Sequence, residues 1–65
     1  MKYKIGEKLK TIREERGLSV RQLEEKSGVS YANISRIENG KYNASIEILE
    51  KICNALNCTL DVVTN

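Results

Sequence analysis

The sequence contains no histidine, no proline, no tryptophan and no phenylalanine. Without histidine it lacks the side chain that serves most often as general base and metal ligand. Without proline nothing interrupts a helix by ring clash, which suits a mainly helical chain. Its two cysteines, Cys53 and Cys58, are too few for a disulfide framework. Two thiols with no imidazole also fall short of the four ligands of a structural zinc, so no metal and no cofactor is expected. The plain reading of the pair is two reduced thiols in or near the core, with a redox or intermolecular disulfide as the alternative. No uncharged run approaches the roughly 20 residues of a membrane span, and no signal peptide is visible. The expectation is a soluble, cytoplasmic protein with no membrane contact. An enzyme is not expected: the chain has no paired nucleophile and base and no room for a large pocket. Glu24 and Glu25 are adjacent on a helix surface and face two directions.

What the sequence does have is enough for one domain, residues 1–65. A chain of 65 residues buries only about 60% of its unfolded surface, so its core must be economical. Hydrophobic residues make up 40% and charged residues 31%, which is globular rather than disordered. The net charge of +2 is unevenly spread. Residues 1–42 carry ten Lys/Arg against six Asp/Glu, a net of +4, whereas residues 43–65 carry Lys51 against Glu47, Glu50 and Asp61, a net of −2. That asymmetry points to an anionic partner for the front of the chain.

Gly17, Gly28 and Gly40 cut the chain into segments of helical length. Ile5, Leu9 and Ile12 form one apolar stripe, predicting a first helix over 5–16 that stops at Gly17. Ser19-Val20-Arg21-Gln22 has the form of a capping box and opens a short second helix over 20–27, with Val20 and Leu23 inward. Ser30 caps a third helix over 31–39, with Ile34 and Ile37 inward and a small, polar outer face. Ser45 opens a fourth helix in which Ile46, Leu49, Ile52, Cys53 and Leu56 form the main core wall, and Asn57 suits a left-handed stop. Residues 59–64 read two ways. Leu60 and Val63 fit a helical turn, while the β-branched residues fit a short strand that would pair with the alternating N-terminus or a second chain. The fold expected is all-α, with four or five helices and a short terminal strand left open.

Helices two and three are joined by a turn through Gly28, and Leu23, Val29, Ile34 and Ile37 anchor both to the core. This is helix-turn-helix geometry, whose second helix can enter a major groove; on spacing alone, any small helical bundle with a glycine turn would also fit. The residues narrow it. Ile5 to Ser19, Gln22-Leu23 with Gly28-Val29-Ser30, and Ile34-Ser35-Arg36-Ile37-Glu38-Asn39-Gly40-Lys41 together resemble the phage repressor and Cro-like (Xre-like) helix-turn-helix family. Ser45 to Leu56 is similar to its fourth helix, and the likeness covers residues 5–61.

The resemblance implies a recognition helix over about 30–39 that reads double-stranded DNA. Base-contacting positions then fall on Ser30, Tyr31, Ala32, Asn33, Ser35 and Arg36. Their chemistry is suitable: Arg36 can grip guanine bidentately, Asn33 can pair with adenine, and Ala32 is small enough for a thymine methyl. Phosphate contacts fall on Ser19, Arg21, Asn39, Lys41, Tyr42 and Asn43, and Glu38 is implied to tie helix three to a basic residue of helix one such as Arg13. Two positions depart from the family pattern. Val20 stands where glutamine often contacts a phosphate and braces the recognition helix, so that role is lost or passes to Arg21 or Gln22, and Ala44 stands where many relatives have proline.

The function so implied is a sequence-specific transcriptional regulator, a homodimeric repressor on a palindromic operator. Its dimer surface is expected in a tail over 57–65 and the end of helix four, at Leu56, Leu60, Val62 and Val63, which are too apolar to leave exposed. The alternative is an antitoxin or other partner-controlled module that binds a protein, such as a toxin, as well as DNA.

Overall fold

Four helices form the structure, a computed structural model that describes residues 5–61. They are α1 (Ile5–Glu15), α2 (Val20–Ser27), α3 (Tyr31–Glu38) and α4 (Ile46–Ala55). Each of the last three starts on a serine whose hydroxyl accepts a backbone amide: Ser19 from Gln22, Ser30 from Asn33 and Ser45 from Ile48. At α2 the box is complete, because the Ser19 amide donates in return to Gln22 Oε1 at 2.8 Å. These bonds satisfy donors that a helix N-terminus otherwise leaves to water.

Three of the helices end in the same way. The amide two places beyond the cap returns to a carbonyl five residues back: Leu18 to Arg13 (3.1 Å), Lys41 to Arg36 (2.8 Å) and Cys58 to Cys53 (2.9 Å). This Schellman closure needs a left-handed residue just before that amide. Gly17 and Gly40 supply it at φ 71° and 73°, and at α4 Asn57 does so at φ 62°. Asparagine tolerates this conformation better than most residues with a side chain.

The core consists of Leu9, Leu23, Val29, Ile34, Ile37, Leu49, Ile52, Cys53 and Leu56. α1 packs on α3, and α2 packs on both α3 and α4. Gly6 lets α1 approach α3 closely. A Cβ at this position would fall on the Ile37 carbonyl oxygen, 2.9 Å from the Ile37 carbonyl carbon and 3.1 Å from Glu38 Cα. The same two helices are tied by the Arg13–Glu38 pair, with Nε donating to Oε2 at 2.7 Å and Nη2 to Oε1 at 3.1 Å. Arg13 Nη1 donates to the Leu18 carbonyl at 2.7 Å. Both residues are buried, so the fork-on-carboxylate geometry matters: it leaves neither charge unpartnered. The Glu38 hydrogen bond raises the Arg13 guanidinium above its usual range, and burial only partly offsets this.

Some expectations need correction. Leu56 is 1% exposed and belongs to the core, so it has no surface to give a dimer. Ile46 is 66% exposed; it begins α4, where the core wall has not yet started. Leu60 and Asp61 are helical, with Leu60 half-buried against the core, so a strand does not begin there. Val62, Val63 and the alternating N-terminus lie outside the described residues. No strand occurs among the described residues, and none of their helices is long and apolar enough to cross a membrane.

Candidate nucleic-acid interface

A helix advances about 100° per residue, so α3 divides cleanly into two faces. Ile34, Ile37 and Glu38 are buried. Ala32 and Arg36 are exposed on the opposite side, Tyr31 is exposed at the first position of the helix, and Ser35 and Asn33 are half-buried. The outward surface is therefore a tyrosine ring, a methyl group and a guanidinium, with one small hydroxyl and one amide at the edges. It carries no carboxylate, because Glu38 is turned inward to Arg13.

The two ends of this face differ. At its C-terminal end Asn39, Gly40, Lys41, Tyr42 and Asn43 are all exposed in the loop before α4. The Schellman closure at Gly40 fixes the start of that loop. At its N-terminal end Ser30 is exposed, and its oxygen is engaged by the Asn33 amide at 3.2 Å. Its hydroxyl hydrogen stays available to a phosphate or base. Of the predicted base-facing residues, Ser30, Tyr31, Ala32 and Arg36 are exposed and Asn33 and Ser35 half-buried, and Lys41, Tyr42 and Asn43 follow α3 in sequence.

At the start of α2, Ser19 is used by its own capping box, and Gln22 completes that box. Arg21 does not stand alone in solvent. Its guanidinium carbon lies 4.3 Å from the centroid of the Tyr31 ring, a cation–π distance. Arg21 thus makes a contact from α2 to the first residue of α3. Glu24, one of two adjacent carboxylates on α2, accepts the Tyr31 amide at 2.9 Å. No local pattern marks this role, which depends on the Gly28 turn bringing Tyr31 back to α2.

The pattern of the helix-turn-helix family matches residues 9–63. The repressor RghR of Bacillus subtilis is 67% identical over 37 residues, which is 57% of this chain and 27% of that protein. The transcriptional regulator SinR of Bacillus licheniformis is 39% identical over 62 residues, 94% of this chain and 56% of that protein. The chain therefore spans a quarter to just over half of these relatives. A solved structure of SinR in complex with DNA superposes with a TM-score of 0.89 at 35% identity, covering 94% of this chain and 98% of that one. SinR has also been solved with the SinI protein, with the same TM-score of 0.89 and identity of 35%, covering 94% of this chain and 60% of that one. These relatives are transcriptional regulators, not enzymes, and with a fold and a family pattern that both span most of its length, the chain belongs to the Xre/Cro-like helix-turn-helix family.

Proposed function

We propose that the chain is a sequence-specific DNA-binding repressor that acts as a homodimer on a palindromic operator, with α3 in the major groove. The observation that carries this reading is the outer face of α3, where Tyr31, Ala32 and Arg36 stand exposed with no carboxylate among them. Arg36 is the guanine reader and Ala32 the thymine-methyl contact. Ser30, Tyr31, Asn33 and Ser35 complete the base-facing set. Ser19, Arg21, Asn39, Lys41, Tyr42 and Asn43 are the phosphate contacts that fix register. SinR, solved with DNA, supports the same use of this fold.

The size of the domain supports a dimer. The longest dimension of the domain is 31 Å, whereas half-sites one turn apart are centred about 34 Å from each other. One copy therefore reads one half-site. The dimer surface is proposed at Leu60, Val62 and Val63, without Leu56. Removing residues 62–65 keeps every described residue and is expected to leave a monomer by analytical ultracentrifugation; an undiminished dimer would refute the tail as the contact.

If each copy neutralises about three phosphates, log affinity should fall against log salt with a slope of about −5 for the dimer. Fluorescence anisotropy on labelled duplex reads this directly, and a slope near zero overturns the DNA reading. A protein partner is the second reading, favoured by the SinR–SinI complex. It predicts that a protein encoded nearby, such as a toxin or antagonist, binds this chain and changes its DNA affinity.

A further inference from the structure

We propose that Glu24 is a positioning residue for DNA reading: its carboxylate seats the Tyr31 end of α3 and partners Arg21, so Tyr31 is held for base reading, the first amides of α3 do not take a phosphate, and the phosphate contact of Arg21 is weakened by the same carboxylate. The inference rests on the DNA-binding reading above. Glu24 Oε2 accepts the Tyr31 amide at 2.9 Å, while Oε1 lies 3.6 Å from Arg21 Nη1. Arg21 in turn lies over the Tyr31 ring. Three side chains from two helices thus form one unit, half of it solvent-facing: Tyr31 is 41% exposed and the Arg21 side chain 73%.

The first amides of a helix, with the dipole behind them, form a ready site for a DNA phosphate. Here the first is occupied by Glu24 and the third by Ser30. A carboxylate already at that end repels a second anion. It also offsets the Arg21 charge, so Arg21 contributes less to counterion release than its exposure implies. What remains for DNA at this end is the fixed ring of Tyr31 with a guanidinium on its face. The unit exchanges general phosphate attraction for base discrimination.

The test uses the full chain with Glu24→Gln, Glu24→Ala, Tyr31→Ala and Glu24→Ala/Tyr31→Ala, each checked for native helix content. Base preference is read by selection from a randomised duplex library, and salt dependence by anisotropy on a fixed duplex of unselected sequence. Glu24→Gln keeps an oxygen for the Tyr31 amide but loses the charge. It is expected to bind unselected duplex more tightly, with a slope steeper by about one per copy. Glu24→Ala also loses the seat and is expected to lose on the order of tenfold in discrimination at the base pairs read by Tyr31. In the Tyr31→Ala background the Glu24→Ala change should remove no further preference, because Glu24 acts through Tyr31. An unchanged slope in Glu24→Gln, or an unchanged base preference in Glu24→Ala, overturns the proposal and leaves the DNA reading standing. A wild-type chain that selects no sequence and shows no salt dependence overturns both.

Discussion

Replacing Gly6 with alanine sets two well-characterised effects against each other. Gly6 lies in the first turn of α1. At an unconstrained helical position, glycine to alanine gains about 1 kcal/mol, because glycine gives up more chain entropy on folding. At Gly6 the added methyl meets backbone, not a movable side chain: the Ile37 carbonyl and Glu38 Cα. Backbone within a helix cannot step aside alone, so α1 must move from α3 by on the order of 1 Å. Overpacking of this kind costs typically about 1–3 kcal/mol and sometimes more. The cost is at the upper end here, because the displacement also loosens the Arg13–Glu38 fork that spans the same two helices. Less the propensity gain, the net expectation is a loss of about 2 kcal/mol. For a domain of this size that lowers the melting temperature by roughly 4–8 °C per kcal/mol. Thermal melts followed by circular dichroism measure it, with Glu7→Ala on the exposed side of the same turn as control. A Gly6→Ala chain as stable as wild type would refute the close approach of α1 and α3.

Glu38→Ala should cost about 3–5 kcal/mol, since it leaves the Arg13 guanidinium buried without its carboxylate. Against a total of about 3–10 kcal/mol for a 65-residue chain this leaves little margin. Urea titration measures it, and a double Arg13→Met/Glu38→Leu chain more stable than the single variant would identify the unpaired charge as the cause. Burial, with the neighbouring Cys58, pushes the Cys53 thiol from 9.0 up to about 12. The folded-state value lies above the ordinary one, so its stabilisation is full below pH 9 and is lost as pH rises from 9 through 12. Stability of wild type should therefore fall more steeply over that window than that of Cys53→Ala, and parallel curves would refute the shift. In the folded chain a thiol reagent at neutral pH should modify half-buried Cys58 well before Cys53.

The parts of this protein that were legible in its sequence are those set by local chemistry. Ser19, Ser30 and Ser45 announce helix starts because a serine hydroxyl satisfies an amide within its own turn. Gly17, Gly28, Gly40 and Asn57 announce the stops because a left-handed residue closes each helix on itself. The inward face of α3 follows from spacing alone, and the outward face is what remains. Leu56 was legible too: it continues the Leu49–Ile52 stripe at seven residues from Leu49, and periodicity assigns it to the core before any dimer.

Gly6 and Glu24 were not legible for the opposite reason. Nothing in the first turn of α1 marks Gly6, because its value lies in a carbonyl 31 positions away in the chain, counted from Gly6 to Ile37. Glu24 looks like any solvated carboxylate until the turn at Gly28 folds Tyr31 back onto it. Both act between helices, where spacing carries no information and only the packed arrangement does. The consequence for the interface is specific. Residue types on α3 indicate what can be read, but the orientation of Tyr31, and the charge available at Arg21, are decided by a residue on α2. Transplanting Tyr31–Glu38 alone onto a related domain should therefore transfer less of the base preference than transplanting Arg21 through Glu38 together.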